Sequence, residues 1–363
     1  VTAATFHLLR ERLRNQSLAV SRLRTPGEVV AWLGAAQAQD YAGAKWALGL
    51  RAKGVTDAAV DQAFDEGAIL RTHILRPTWH FIARGDIRWM LALSGPRVHA
   101  VNAYYYRTLG LDAAVFARSR AALERALAGG RQLTRVELAK VLQRAGVQAD
   151  GPRLAYVMMH AELDAVICSG ARRGKQFTYA LLEERAPRAK VWPRDEALAE
   201  LTRRYFSSHG PATLRDYVWW SGLTARDARA GMAMSSLAQT TIDDRSYWFV
   251  PGRARVPSAS ASAHLLPNYD EYVIAYKDRE PVVGSTRGID ARVPDVFSHS
   301  LVVNGVLAGS WRRTASRDAV AVEVTPYIRL TASGTRALAV AAERLGRFLN
   351  VPAKLVIVRR APL

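Results

Sequence analysis

Apolar positions recur at helical spacing through most of the chain before Thr240 and change to short strand-like runs after it. Thr25-Pro26-Gly27-Glu28 joins a capping threonine, a first-turn proline and an acid three residues on. That combination opens a helix through Val29, Val30, Trp32 and Leu33. A second helix is predicted from Thr56 to Glu66 and a strand over Leu75–Ile82. A further helix starts at Gly85-Asp86 and runs through Trp89, Met90 and Leu93.

The next stretch repeats this order more clearly. Thr134 caps a helix that ends near Gly146, and Gly151-Pro152-Arg153 leads into another over Leu154–Leu163. Val166-Ile167-Cys168, a basic turn and Gln176–Leu181 then form a predicted hairpin. Helix, turn, helix and hairpin is the order of a winged helix-turn-helix. The turn, carrying Arg172, Arg173 and Lys175 between glycines, would be its wing, reaching phosphates in a groove or simply facing solvent. After a proline-rich linker (Arg185 to Pro193), helices are predicted over Glu196–Phe206, over Leu214–Trp220 and from Ala225.

Beyond Thr240 strands are predicted at Tyr247–Val250, His264–Leu266, Tyr272–Ile274, Leu301–Val303, Val306–Trp311, Ala319–Val324 and Leu355–Val358. Asn304-Gly305 is a strong hairpin signal, Ser258–Ser262 is a low-complexity loop, and a helix precedes the last strand over Thr335–Leu349. The fold class is therefore α+β. Its expected organisation is three winged-helix units, 1–120, 121–192 and 193–245, followed by a β-barrel-like domain or curled sheet at 246–363.

Charge alters this picture. Basic residues number 51 against 32 acidic, a net +19, and all but seven of the 51 are Arg. An excess of that size points to a polyanionic partner, and arginine suits phosphate through bidentate contact and stacking on bases. Cys168 is the only cysteine, which excludes an internal disulfide and a thiolate metal cluster. No apolar run is long enough for a membrane span, and the amphipathic first residues lack a signal core. The expected location is the bacterial cytoplasm, at the nucleoid.

Stock catalytic motifs are missing. Gly170-x-x-x-Gly174-Lys175-Gln176 is one residue short of a P-loop, no Gly-x-Ser-x-Gly elbow occurs, and the eight histidines read as scattered rather than metal-spaced. No cofactor or metal is expected. The informative segment is Gln37-Ala38-Gln39-Asp40. On a helix the two amides would point to nearly opposite sides, but on an extended backbone they share a face. Joint action requires the preceding helix to stop first. The rival reading is a polar helix end, or Asp40 as a base. Trp219-Trp220 and Tyr104-Tyr105-Tyr106 read as core aromatics rather than base-stacking ones.

Gln37-Ala38-Gln39, Leu75–His80, Ser169–Tyr179, His209–Thr213 and Leu266-Pro-Asn-Tyr-Asp270 together resemble the AlkZ/YcaQ family of bacterial DNA glycosylases. The match runs from about Thr25 to Trp311. The Gln-x-Gln form, rather than Gln-x-Asp, is similar to the AlkZ branch, which confers self-resistance on producers of DNA-alkylating natural products. The resemblance implies three tandem winged helices in a concave DNA cradle and removal of N7-alkylated purines, interstrand crosslinks included. It implies Gln37 and Gln39 as catalytic residues, with Asp40, Arg76, His80, Asn268 and Asp270 as active-site neighbours. Lys45, Arg172, Arg173 and Lys175 are the expected DNA contacts, double-stranded DNA is the expected partner, and the protein is expected to be monomeric. A winged-helix regulator would explain the charge but leave the glutamines idle. A drug-sequestering protein would not explain the charge.

Overall fold

The computed structural model describes residues 2–187, 189–252, 261–284 and 298–358. Arg188 of the linker and Ser258, Ala259 and Ser260 of the low-complexity loop lie outside them.

The chain opens with α1 (Ala3–Asn15) and α2 (Pro26–Leu33). Thr25 and Glu28 form the capping box at the start of α2. Gly34, at φ 85°, then ends the helix. The Gly34 backbone lies against the Trp220 ring, where a Cβ would make ordinary contact. The released chain is extended as β1 (Ala36–Gln37) before Asp40 caps α3 (Tyr41–Gly49). Next come α4 (Asp57–Asp65), β2 (Ile69–Ile74) and β3 (Arg76–Ala83), with strand order β1-β3-β2. Strand β2 has no counterpart in the sequence reading. All six of its residues are buried, so it shows no alternation of polar and apolar positions.

A long α5 (Ile87–Thr108) and α6 (Ala113–Leu127) lead to β4 (Leu133–Thr134), α7 (Arg135–Arg144), α8 (Gly151–Leu163), β5 (Ile167–Ser169), β6 (Thr178–Leu181) and the short α9 (Leu182–Arg185). Strands β4, β6 and β5 form a small sheet in that order. The third stretch packs α10 (Arg194–Ser208), α11 (Leu214–Ser221) and α12 (Ala225–Ala233) beside the hairpin of β7 (Ala238–Ile242) and β8 (Arg245–Phe249). Gly222 ends α11 in the left-handed conformation and Thr224 caps α12, as the sequence predicts.

The remainder comprises β9 (Ala263–Leu266), α13 (Glu271–Ile274), α14 (Glu280–Val283), β10 (Ser300–Val303), β11 (Val306–Ala315), β12 (Val320–Pro326), α15 (Ala332–Leu349) and β13 (Ala353–Ile357). Asn304 and Gly305, both at positive φ, make the β10–β11 turn. The sheet order is β13-β12-β11-β10-β9. Among the described residues it stays open at β9 and β13, a curled half-barrel rather than a closed barrel. The strand expected at Tyr272–Ile274 is instead helix α13, because the Asp270 carboxylate caps it by accepting from Tyr272 N–H.

Two cores meet at β3. One joins α2, α3 and β1 to the C-terminal sheet and includes Ala36, Ala38, Phe81, Leu265 and Leu266. The other contains Ala35, Ile82, Trp89, Tyr205 and Trp220. Side chains alternate along strands, so Gln37 and Gln39, like Ala35, are turned from the first core toward the side of the second.

Candidate active site

The Gln37–Gln39 backbone is held on both edges. Ala36 and Gln37 pair with Phe81 and His80 across the β1–β3 ladder. Ala38 N–H donates to Trp79 O at 2.7 Å, and Arg71 Nε donates to Ala38 O at 3.0 Å. The Gln37 N–H donates 2.8 Å to Glu271 Oε1, 234 residues further along the chain. Two buried ionisable side chains thus hold the main chain of Gln37 and Ala38. The helix has stopped, as joint action of the two amides requires.

The amide side chains have separate environments. Gln37 is half-buried, and its Oε1 accepts from Arg76 Nη2 at 3.4 Å. Gln39 is exposed, and its Oε1 accepts from Trp79 N–H at 3.4 Å. Trp79 is gripped by the Arg71 guanidinium, 4.1 Å from its ring centre, and by His73 at 4.0 Å. His73 in turn is hydrogen-bonded to the buried Glu162. Arg76 lies 5.4 Å from the Trp219 ring centre, and Lys277 and Arg279 flank the same ring at 4.6 and 5.4 Å.

His80 is fully buried, its Nδ1 beside Thr78 O at 2.9 Å and its Nε2 without a hydrogen-bond partner among the described residues. Burial, aided by the Arg76 charge, pushes its pKa down to about 4, so the ring is neutral at ordinary pH. Glu271 is also buried. Burial alone would raise its pKa, but hydrogen bonding to His209 and the Gln37 N–H outweighs that and holds it at about 2. Its Oε2 accepts from Trp220 Nε1 at 3.0 Å and lies 3.5 Å from His209 Nε2.

The other sequence-derived residues divide. Asp40 caps α3 through Gly43 N–H, and Asn268 Nδ2 donates to its other oxygen at 3.4 Å. Asp270 is buried with both oxygens on Arg51, at 2.7 and 2.8 Å. Lys45 is buried with its ammonium 2.7 Å from both Asp57 and Asp61. The charges of Asp270 and Lys45 are met inside the protein. In the basic hairpin Arg173 pairs with Glu137, and Arg172 packs 4.9 Å from the Tyr41 ring centre. Lys175 is exposed at the tip, with no ion pair among the described residues. The structure joins Gln37, Gln39, Arg76 and His80, seats Asp40 and Asn268 at the edge, and leaves the hairpin to flank α3.

Sequence reasoning missed Arg71 and Glu271, and singled out His209 only as the head of the His209–Thr213 segment. Glu271 directly follows Leu266–Asp270, which was the only available signal. The histidines are also less scattered than expected: His99 Nε2 and His160 Nδ1 approach Asp164 at 3.0 and 3.3 Å. This trio lies on α5 and at the end of α8, outside the motif, with His99 hydrogen-bonded to Asp164 and to the Tyr106 hydroxyl. Of the aromatics expected in the core, Trp220 is fully buried and Trp219 half-buried, whereas Tyr104 and Tyr105 are exposed.

A buried anion, a guanidinium and two amides around an extended strand can orient water and stabilise a cation. They present no strong base. The family described as DNA glycosylase AlkZ-like matches residues 30–348. The structure is similar to the DNA glycosylase AlkZ of Streptomyces sahachiroi, with a TM-score of 0.80 at 20% identity. The likeness covers 98% of this chain and 100% of that one. No curated protein sequence matches the chain.

Proposed function

Because the chain belongs to the AlkZ-like DNA glycosylase family, we propose that it hydrolyses the N-glycosidic bond of N7-alkylated purines in duplex DNA. Its substrates include bulky natural-product adducts and interstrand crosslinks, and its role is self-resistance repair. In this reading units 1–120, 121–192 and 193–245 are winged helices forming a DNA cradle, closed by 246–363, and the protein acts as a monomer. The net charge of +19 supports a duplex partner.

The observation that carries the reading is the Gln37–Gln39 segment, extended at Gln37 and pinned by Glu271 and Arg71, with the adjacent Asp40 engaged in capping α3. An N7-alkylated purine is already cationic and leaves without protonation. What remains is to place water at the anomeric carbon and to stabilise an oxocarbenium-like sugar. Each glutamine amide offers a carbonyl acceptor and two N–H donors and is far too weak a base to deprotonate water. Gln37 and Gln39 orient and polarise the water. Arg76 holds the Gln37 carbonyl. Lys175, at the hairpin tip, reaches a phosphate of the flanking strand.

The test is release of free base from duplexes carrying an N7-alkylguanine, an unmodified sequence or a bis-N7 crosslink. The expected outcome is release from the first and unhooking of the third, with the unmodified duplex untouched. Release of unmodified adenine at a comparable rate would overturn the mechanism.

A further inference from the structure

The Gln37 main chain is tied to a side chain 234 residues away. Glu271 has no solvent exposure to speak of, at 1%. Its two oxygens meet Gln37 N–H at 2.8 Å and Trp220 Nε1 at 3.0 Å, with His209 Nε2 at 3.5 Å. Gln37 N–H and Trp220 Nε1 are neutral donors, and His209, the titratable group beside Oε2, is itself pushed by burial toward its neutral form. A buried carboxylate kept ionised without a touching cation costs stability. Another buried acid, Asp270, sits instead on a bidentate arginine. The arrangement around Glu271 also aims. Trp220 donates to one oxygen, and the other accepts from the Gln37 N–H. Arg76 takes the far end of the same residue through its side-chain carbonyl. Gln37 is thereby clamped between an anion on its main chain and a cation on its side chain.

We propose that Glu271 is a positioning residue of the glycosylase reaction, setting the Gln37 amide against the sugar and supplying fixed negative charge behind it. A sugar losing a purine becomes positive, and an anion held in place before the reaction stabilises that charge without reorganising. The carboxylate does not touch the substrate. It works through Gln37, and a displacement of about 1 Å at such a group costs roughly 100-fold in rate. The inference rests on the reading above that Gln37 orients the attacking water.

The experiment is single-turnover excision from a duplex with one N7-alkylguanine, measured with DNA affinity and melting temperature for wild type, Glu271→Gln, Glu271→Asp and Gln37→Ala. Glu271→Gln keeps the shape and removes the charge. It is expected to lower the excision step about 10–100-fold while DNA affinity stays within about threefold. Glu271→Asp keeps the charge, retracted by one methylene, and is expected to be the faster of the two. Glu271→Gln at the wild-type rate, or faster than Glu271→Asp, would overturn the inference, as would a rate loss matched by lost folding or affinity. If Glu271→Gln does not fold, the comparison of Glu271→Asp with wild type decides: an unchanged excision step overturns the proposal. Wild-type excision with an unimpaired Gln37→Ala variant would instead overturn the reading on which it rests, and so would an inactive wild type.

Discussion

Gln37 and His80 face each other directly across the β1–β3 ladder, the glutamine half-buried and the histidine fully buried. His80 is held down to about 4 by burial and the Arg76 charge, and Glu271 to about 2. Neither group changes charge near neutrality. The excision step is therefore expected to be flat from about pH 5.5 to 8, unlike a general acid–base enzyme with its bell-shaped profile. A bell centred near 7 in single-turnover rates would place a titrating group in the mechanism and contradict the account.

The same histidine sets an acid sensitivity. Its folded pKa lies below the ordinary value of 6.5. As pH falls from 6.5 toward 4, the unfolded chain takes up a proton that the folded chain refuses, and stability is lost over that window. Full protonation of the unfolded state corresponds to about 3 kcal/mol for such a shift. His80→Gln is expected to flatten the melting temperature between pH 6.5 and 4 relative to wild type. An unchanged pH dependence would show that His80 does not titrate in this way.

Asp40 is the neighbour best placed to be mistaken for a base. Its carboxylate caps α3 through Gly43 N–H. Asp40→Ala is expected to cost about 1 kcal/mol of stability, as loss of a helix cap does. Asp40→Asn, which can still accept that hydrogen bond, is expected to excise within about fivefold of wild type, well short of the 100-fold or more a lost general base costs. A fall of 100-fold or more in a folded Asp40→Asn protein would make Asp40 the base.

Arg51 and Asp270 form a bidentate pair with both side chains fully buried, and Gln16 Oε1 accepts from the same guanidinium at 2.8 Å. Removing one partner strands the other. Asp270→Asn is expected to destabilise the protein by about 3–5 kcal/mol, while the protein that remains folded excises normally. Denaturant unfolding with activity per folded molecule separates these effects. Lost activity at unchanged stability would give Asp270 a direct part in the reaction.

At the hairpin tip, Lys175 is exposed, whereas Arg173 is already paired with Glu137. Lys175→Gln is expected to weaken duplex binding regardless of sequence and to reduce the salt slope by about one. Arg173→Gln is expected to do less, since its charge is partly met at home. Salt titrations of affinity distinguish the two. No change with Lys175→Gln would remove the hairpin from the DNA interface.

What the sequence makes legible here is what local chemistry dictates. The capping box at Thr25 and the Asn304-Gly305 turn follow from neighbours within a few positions, whereas local sequence left the Gln37–Gln39 backbone open between a polar helix end and an extended strand. The misreadings have equally local causes. Tyr272-Val273-Ile274 looks like a strand by residue type, but Asp270 caps it as a helix. Strand Ile69–Ile74 hides Arg71 and His73 among buried positions because their partners, Ala38 O and Glu162, come from distant segments. Glu271 was invisible for that reason too: a single acid in the sequence, it becomes part of the site only when the fold brings Gln37 and Trp220 to it.

The most direct measurement of the central claim uses a duplex bearing one N7-alkylguanine, scored for alkali-labile abasic sites, with wild type beside a Gln37→Ala/Gln39→Ala double variant. The expected result is abasic sites with wild type and at least a 100-fold loss in the variant, while the variant binds the duplex and melts as wild type does. Equal cleavage by both proteins, or none by wild type on either small or bulky adducts, would contradict the account.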